Sequence, residues 1–320
     1  MTLMSRIRAG AAALTFAMFA TTAAHAAAPM VKAQVPGYYR MMLGDFEITA
    51  LSDGTVGLEV EKLMTATTPA QTKRALGRAF VKDPVETSVN AYLVNTGSKL
   101  VLIDAGAGKL FGPTLGGLVA SLKAAGYQPE QVDEIYITHM HPDHVGGLAA
   151  DGKAVFPNAV VRADKHDADF WLSQKTLDAA PKDEKGFIEG AMASLKPYVD
   201  AGKFSAFDGN TELIAGVKAV ATPGHTPGHA IYIVENKGQK LVLWGDLMHV
   251  AAVQFPNPAV TIKFDTDSKA AAVQRKKAFA DAAKGGYWIA AAHLAFPGIG
   301  HLRSEGSGYV FVPANFSVPH

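Results

Sequence analysis

One stretch limits this chain more than any other: Ile135-Tyr-Ile-Thr-His-Met-His-Pro-Asp-His-Val-Gly-Gly147. Ile135 and Ile137 alternate with Tyr136 and Thr138, which reads as a short strand. The strand stops where four ligand-type side chains begin, His139, His141, Asp143 and His144. Pro142 breaks it, and Gly146-Gly147 lets the backbone turn tightly. A metal ion needs neutral imidazoles and carboxylates held rigidly around one point. A strand end running into a proline-bearing loop meets that need, with His139 and His141 on one side and Asp143 and His144 from the turn. The competing reading is a chance cluster on a solvated loop.

Three later positions extend the pattern. His225 follows a strand in Thr222-Pro-Gly-His225, on a loop stiffened by Pro223 and Pro227. Asp246 ends the apolar run Leu241-Val-Leu-Trp-Gly, where a carboxylate is costly unless paired or metal-bound. His293 follows the apolar run Ala290-Ala-Ala. Each alone is an ordinary structural residue. Together, as His-x-His-x-Asp-His followed by His, Asp and His, they resemble the full ligand set of the metallo-β-lactamase superfamily.

That resemblance implies an α/β (α+β) fold, an αββα sandwich with a metal site at one edge of the paired sheets. It also implies that His139, His141 and His225 bind one divalent ion, that Asp143, His144 and His293 bind a second, and that Asp246 bridges them. Asp104 falls in the family's Asp-x-Gly position, a carboxylate behind the ligands; an ordinary turn Asp is the alternative. His229 and His301 are supporting or structural. Two ions close together can replace a general base, because a shared water loses its proton near neutral pH. The chain has no cysteine, and imidazole plus carboxylate without sulfur suits Zn²⁺, although Mn²⁺, Fe²⁺ or Co²⁺ accept the same ligands.

The N-terminus carries an address. Arg6 and Arg8 precede an apolar stretch from Ala11 to about Ala20, then Ala24-His25-Ala26. This is the layout of a secretory signal peptide over residues 1–26, cleaved after Ala26. The run is short for a span of about 20 residues, so no stable membrane anchor is expected. Residues 27–35 read as a flexible segment and 36–320 as one domain of an exported, periplasmic protein. Net charge is +1 with no Lys/Arg-rich block, which argues against a nucleic-acid partner.

Phe46 to Leu51 alternates as a strand, Ser52-Asp53-Gly54-Thr55 punctuates, and Val56 to Val60 resumes as a hairpin partner. Strands are expected at 89–94, 100–103, 160–164, 217–221, 231–235 and 241–244. Helices are expected at 70–80, 118–125, 166–173 and 190–198. Residues 106–118 read as a Gly-rich loop beside the site, with Phe111 exposed in it.

A finer resemblance extends from about residue 34 to the C-terminus. Pro36 to Gly54, Gly126 to Gly147, Arg275 to Tyr287 and His293-Leu-Ala-Phe-Pro-Gly-Ile-Gly-His301 are similar to the methyl parathion hydrolases, whose close relatives open aryl lactones such as dihydrocoumarin. The resemblance implies a homodimer and a pocket formed by Phe111, Trp171 and Phe187. At Leu63, His249, Ile262 and Phe264 the chain departs from the phosphotriesterases toward the lactonase-type relatives. His249 either donates to the lactone carbonyl or leaving phenolate, or lines the pocket and bonds backbone. The expected activity is hydrolysis of aryl lactones or esters by a hydroxide held on two metal ions, with Asp246 and His249 at the centre. A phosphotriesterase is the alternative. A non-catalytic metal- or solute-binding protein is the second.

Overall fold

The computed structural model describes residues 28–318. The signal-peptide reading of residues 1–26 lies outside them. Residues 28–35 are exposed and carry no helix or strand, and Pro36–His320 forms one compact unit. Among the described residues, no helix is long and apolar enough to cross a membrane.

Two seven-stranded sheets are found among the described residues, each with its strands paired in sequence order. The first runs Tyr38–Leu43, Phe46–Leu58, Val85–Asn95, Leu100–Ile103, Glu134–Tyr136, Val160–Asp164 and Phe204–Phe207. The second runs Thr211–Ile214, Val217–Ala221, Ala230–Asn236, Gln239–Leu243, Trp288–Ala290, Ile299–Glu305 and Gly308–Pro313. Side chains alternate across each strand, and the alternation sorts them into layers. Val101, Ile103 and Tyr136 face Tyr232, Leu241 and Leu243 between the sheets. Leu102, Ile135 and Val161 point outward to pack with Leu118, Leu122, Ile188 and Leu195 of the helices Leu118–Ala124 and Lys185–Asp200. Val242, Trp244 and Ile289 face Phe279 and Ala282 of the helix Ser268–Gly285. Helix, sheet, sheet, helix is the αββα sandwich.

Parallel pairing places the site. Leu100–Ile103, Glu134–Tyr136 and Val160–Asp164 run parallel, as do Gln239–Leu243 and Trp288–Ala290. The loops after these strands carry Asp104, His139 to His144, Asp246 and His293, the carboxyl-end placement usual for α/β sites.

One expectation is corrected. Ser52-Asp53-Gly54-Thr55 is no turn: Phe46–Leu58 is a single strand, bulged between Ser52 and Gly54. The hairpin bend falls earlier, between Leu43 and Phe46. Gly54 has φ +130°, and a Cβ there would run into the Thr114 carbonyl, so the glycine serves a bulge and a close approach. The bulge buries Asp53, whose carboxylate accepts the N–H groups of Ala107, Gly116 and Leu118 at 3.0 Å each. It thereby ties down both ends of the loop carrying Phe111. Burial pushes the Asp53 carboxyl up, and those donors offset only part of the rise. Asp53→Ala should orphan three backbone donors and lower stability by about 3 kcal/mol, measured by urea unfolding.

Candidate metal centre

Ligand atoms of His139, His141, His225 and Asp246 lie within 4.8 Å of one another, as do those of Asp143, His144, Asp246 and His293. Asp246 alone is in both groups. Its Oδ2 is 3.3 Å from His225 Nε2 and 3.2 Å from His293 Nε2, and its Oδ1 is 3.2 Å from His144 Nε2.

The far side of four of the five rings is fixed, and this decides which nitrogen of each faces inward. His144 Nδ1 donates to Asp104 at 2.8 Å, and His293 Nδ1 donates to the Ser88 carbonyl at 2.9 Å. Thr138 Oγ1 donates to Asp104, leaving a lone pair 3.1 Å from His139 Nδ1. His225 Nδ1 donates to Asp265 at 2.9 Å. These four rings therefore present Nε2, whereas His141 presents Nδ1, 3.1 Å from His225 Nε2. His229 acts one step back: its Nε2 accepts the Asp246 N–H at 3.0 Å, and its Nδ1 meets Thr222 Oγ1 at 2.8 Å. Burial pulls His229 down to about 3, so it stays a neutral acceptor.

Several inward atoms have no hydrogen-bonding partner although buried: His139 Nε2, His144 Nε2 and Asp246 Oδ1. Buried polar atoms are rarely left so, and divalent cations would satisfy them. The charges agree. Burial and neighbouring imidazoles keep His139 and His141 below the usual imidazole range. Burial opposes protonation of His144, His225 and His293 too, but carboxylates led by Asp246 outweigh it and raise all three, His293 to about 10. Against burial, the surrounding imidazoles hold Asp143 and Asp246 below the carboxylate range. Positive charge is thus required at the centre, and the donor set of five imidazoles and two carboxylates fits two divalent ions.

A cavity opens onto both clusters, walled by Val56, Leu58, Phe111, Phe187, His249 and Phe264. Phe111 is only half-exposed, edge-on to Phe187 with ring centroids 5.9 Å apart. His249 is buried against His293, and its Nε2 is 3.0 Å from Asp246 Oδ2.

Other expected positions fall elsewhere. Trp171 is buried behind His141, edge to face with centroids 5.0 Å apart, so it props a ligand and does not line the cavity. Ile262 is fully buried, paired with Met64, and Leu63 packs in the same apolar cluster behind the wall. His301 sits on the strand Ile299–Glu305, where its Nδ1 meets the Tyr287 carbonyl and its ring lies against Trp288. Those contacts are structural, and none is to a ligand.

Four residues of the site escaped the sequence reading: Asp265 and Asp167, which support the clusters from behind, and Val56 and Leu58, which line the wall. Asp167 accepts Met140 N–H at 2.8 Å and Gly228 N–H at 2.6 Å, clamping two ligand-bearing loops together. Burial pushes its carboxyl up to about 6.

Residues 84–293 match the family described as the metallo-beta-lactamase superfamily. Among solved structures, the chain is similar to one described as hydrolase AbOPH in the beta lactamase superfamily: 42% identical, covering 89% of this chain and 100% of that one, with TM-score 0.85. It is also similar to AidC, described as a dizinc quorum-quenching lactonase in complex with a product: 30% identical over 89% of this chain and 99% of that one, TM-score 0.81. An N-acyl homoserine lactonase of Bacillus sp is 28% identical over 160 residues, 50% of this chain and 56% of that protein. The chain thus spans about half the length of the curated relatives it matches.

Proposed function

Because this chain belongs to the metallo-beta-lactamase superfamily, we propose that it is a metal-dependent hydrolase holding two Zn²⁺ ions and opening neutral, hydrophobic lactones and esters, aryl lactones of the dihydrocoumarin type foremost. The observation that carries the reading is the wall of the cavity. Val56, Leu58, Phe111, Phe187 and Phe264 meet the two ligand clusters with no lysine or arginine among the lining residues. Such a wall suits a flat, uncharged ring and gives a β-lactam carboxylate no cationic anchor. The similarity to a lactonase over 89% of the chain supports the same reaction type.

Two divalent ions in these ligands would supply a deprotonated water near neutral pH and polarise the scissile carbonyl. The protein's own part is orientation and exclusion of water. Phe111 and Phe187 close over the ring of the substrate, Asp104 and Asp265 lock the tautomers of His144 and His225, and Asp246 balances the charge of both halves. His249 lines the cavity, with Nε2 toward Asp246; in this reading it donates toward an oxygen that gains charge. Phenolate leaves readily, so no dedicated acid is needed. We assign export to the periplasm through cleavage after Ala26, and a homodimer, to the same reading.

A panel of dihydrocoumarin, an N-acyl homoserine lactone, phenyl acetate, methyl parathion and nitrocefin tests this on protein of measured zinc content. Highest kcat/KM should go to dihydrocoumarin. Preference for the phosphotriester would reverse the assignment, and no turnover of any member, zinc bound, would point to a non-catalytic metal-binding protein. His249→Leu should move the ratio of phosphotriester to lactone kcat/KM upward by about tenfold, a change of about 1.4 kcal/mol, because the wall loses its polar group; an unmoved ratio rejects a role for His249 in selectivity.

A further inference from the structure

The helix Ser268–Gly285 carries a guanidinium, Arg275, that is fully buried. An ion is rarely taken from water unless its surroundings satisfy it, and here they come from separate parts of the site. Arg275 Nε donates to the Leu247 carbonyl at 2.5 Å, next to Asp246. Its Nη1 donates to Val260 at 2.6 Å and Pro258 at 3.2 Å, in the segment leading to Phe264. Its Nη2 stands 3.9 Å from Asp265 Oδ2 and has no hydrogen-bonding partner. Asp265 is itself fully enclosed; Oδ1 takes the His225 Nδ1 proton at 2.9 Å, and Oδ2 takes the Ile262 N–H at 3.2 Å.

The backbone repeats the link. Thr266 N–H donates to the His225 carbonyl at 2.9 Å, and Asp267 N–H to the Gly224 carbonyl at 2.8 Å. Gln254, also buried, accepts the His249 N–H at 2.7 Å and donates to the Val260 carbonyl at 3.1 Å. The Asp246–His249 turn and the segment bearing Phe264 thus converge on one cation, and the His225 loop is joined to them through Asp265, 3.9 Å from that cation.

We propose that Arg275 and Asp265 are positioning residues forming a charged strut behind His225, which fixes the grip of the His139–His141–His225–Asp246 cluster on its ion and binds that cluster to the pocket wall. This rests on the two-ion reading above. A carboxylate behind a ligating imidazole raises its basicity and fixes its ring, and losing one typically costs 10–100-fold in metal affinity. Arginine suits the place because its fork can hold several carbonyls in a fixed plane while staying charged. Asp104 and the Ser88 carbonyl support the other cluster independently, so the effect should be one-sided.

The test is competition for Zn²⁺ by a chromogenic chelator on purified wild type, Asp265→Asn, Arg275→Met and Arg275→Lys. Wild type should release two ions. Asp265→Asn and Arg275→Met should each weaken one ion by about 10–100-fold and leave the other within about threefold. Combining them should weaken that ion no further than the worse single change, because both act on one strut. Arg275→Lys, which keeps the charge but cannot span three carbonyls, should fall between Met and wild type and stands in for Arg275→Met if that variant does not fold. Equal weakening of both ions would mean general loosening and overturn the proposal, as would unchanged release from folded Asp265→Asn or additive losses in the double variant. Wild type that takes up no Zn²⁺ would overturn the two-ion reading and the strut with it; wild type with two ions and insensitive variants would overturn the strut alone.

Discussion

Asp246→Asn should cost more than any other single substitution: kcat/KM falling by about 10³-fold, and zinc content falling from two ions per chain to one or fewer. Asparagine keeps the volume and the backbone N–H that His229 accepts, so the change isolates the charge. Asp246 Oδ2 lies 3.0–3.7 Å from ring nitrogens of His139, His225, His249 and His293, with Oδ1 beside His144. Removing one partner from a buried set of charges costs about 3–5 kcal/mol, and each 1.36 kcal/mol is about tenfold in a rate. The variant should be checked by elemental analysis alongside kinetics. Two retained ions with wild-type turnover would refute the bridging role, whatever the fold.

The candidate ligands were legible in the chain because most are local: four sit within six residues, Asp246 and His293 each end an apolar run, and His225 follows a Thr-Pro-Gly loop after a strand. What supports them was not. Asp265 meets His225 across 40 residues of sequence, Asp167 reaches Met140 and Gly228 over 27 and 61, and Asp53 reaches Leu118 over 65. An aspartate read locally resembles a turn residue or a helix cap; its role follows only from the partner that folding delivers. The pocket shows the same limit. Gly54 looks like turn chemistry, so Val56 and Leu58 read as the second arm of a hairpin, whereas the bulge keeps the strand running into the cavity wall. Trp171 has the composition of a pocket residue but is spent on holding His141. The helix Ser268–Gly285 buries mostly alanines, Ala271, Ala278 and Ala282 around Phe279 and Arg275, a stripe too faint for periodicity to mark.

Removing the metals should lower the melting temperature by on the order of 10 °C, and the gap should widen as pH rises. Ions that bind only the folded chain stabilise it by about 4 kcal/mol at a thousand times Kd, and in a domain of this size each kcal/mol is worth about 2–4 °C. The pH dependence follows from the imidazoles. In the metal-free chain the carboxylates raise His144, His225 and His293, the last to about 10. A group whose folded value is raised contributes stability that is complete below its unfolded value, near 6.5, and lost as pH climbs through the folded one. Metal-free protein should therefore weaken between about pH 6.5 and 10, where the loaded protein, whose ligands must be deprotonated to bind at all, holds firm. Below about pH 6 the gap closes, because protons compete for the ligands and affinity for zinc falls. Thermal unfolding of chelated and zinc-loaded protein at pH 6, 7.5 and 9 measures both limbs. A gap that stayed constant with pH would mean that protons and metal ions do not exchange at these imidazoles, and the ligand assignment would fail on that ground alone.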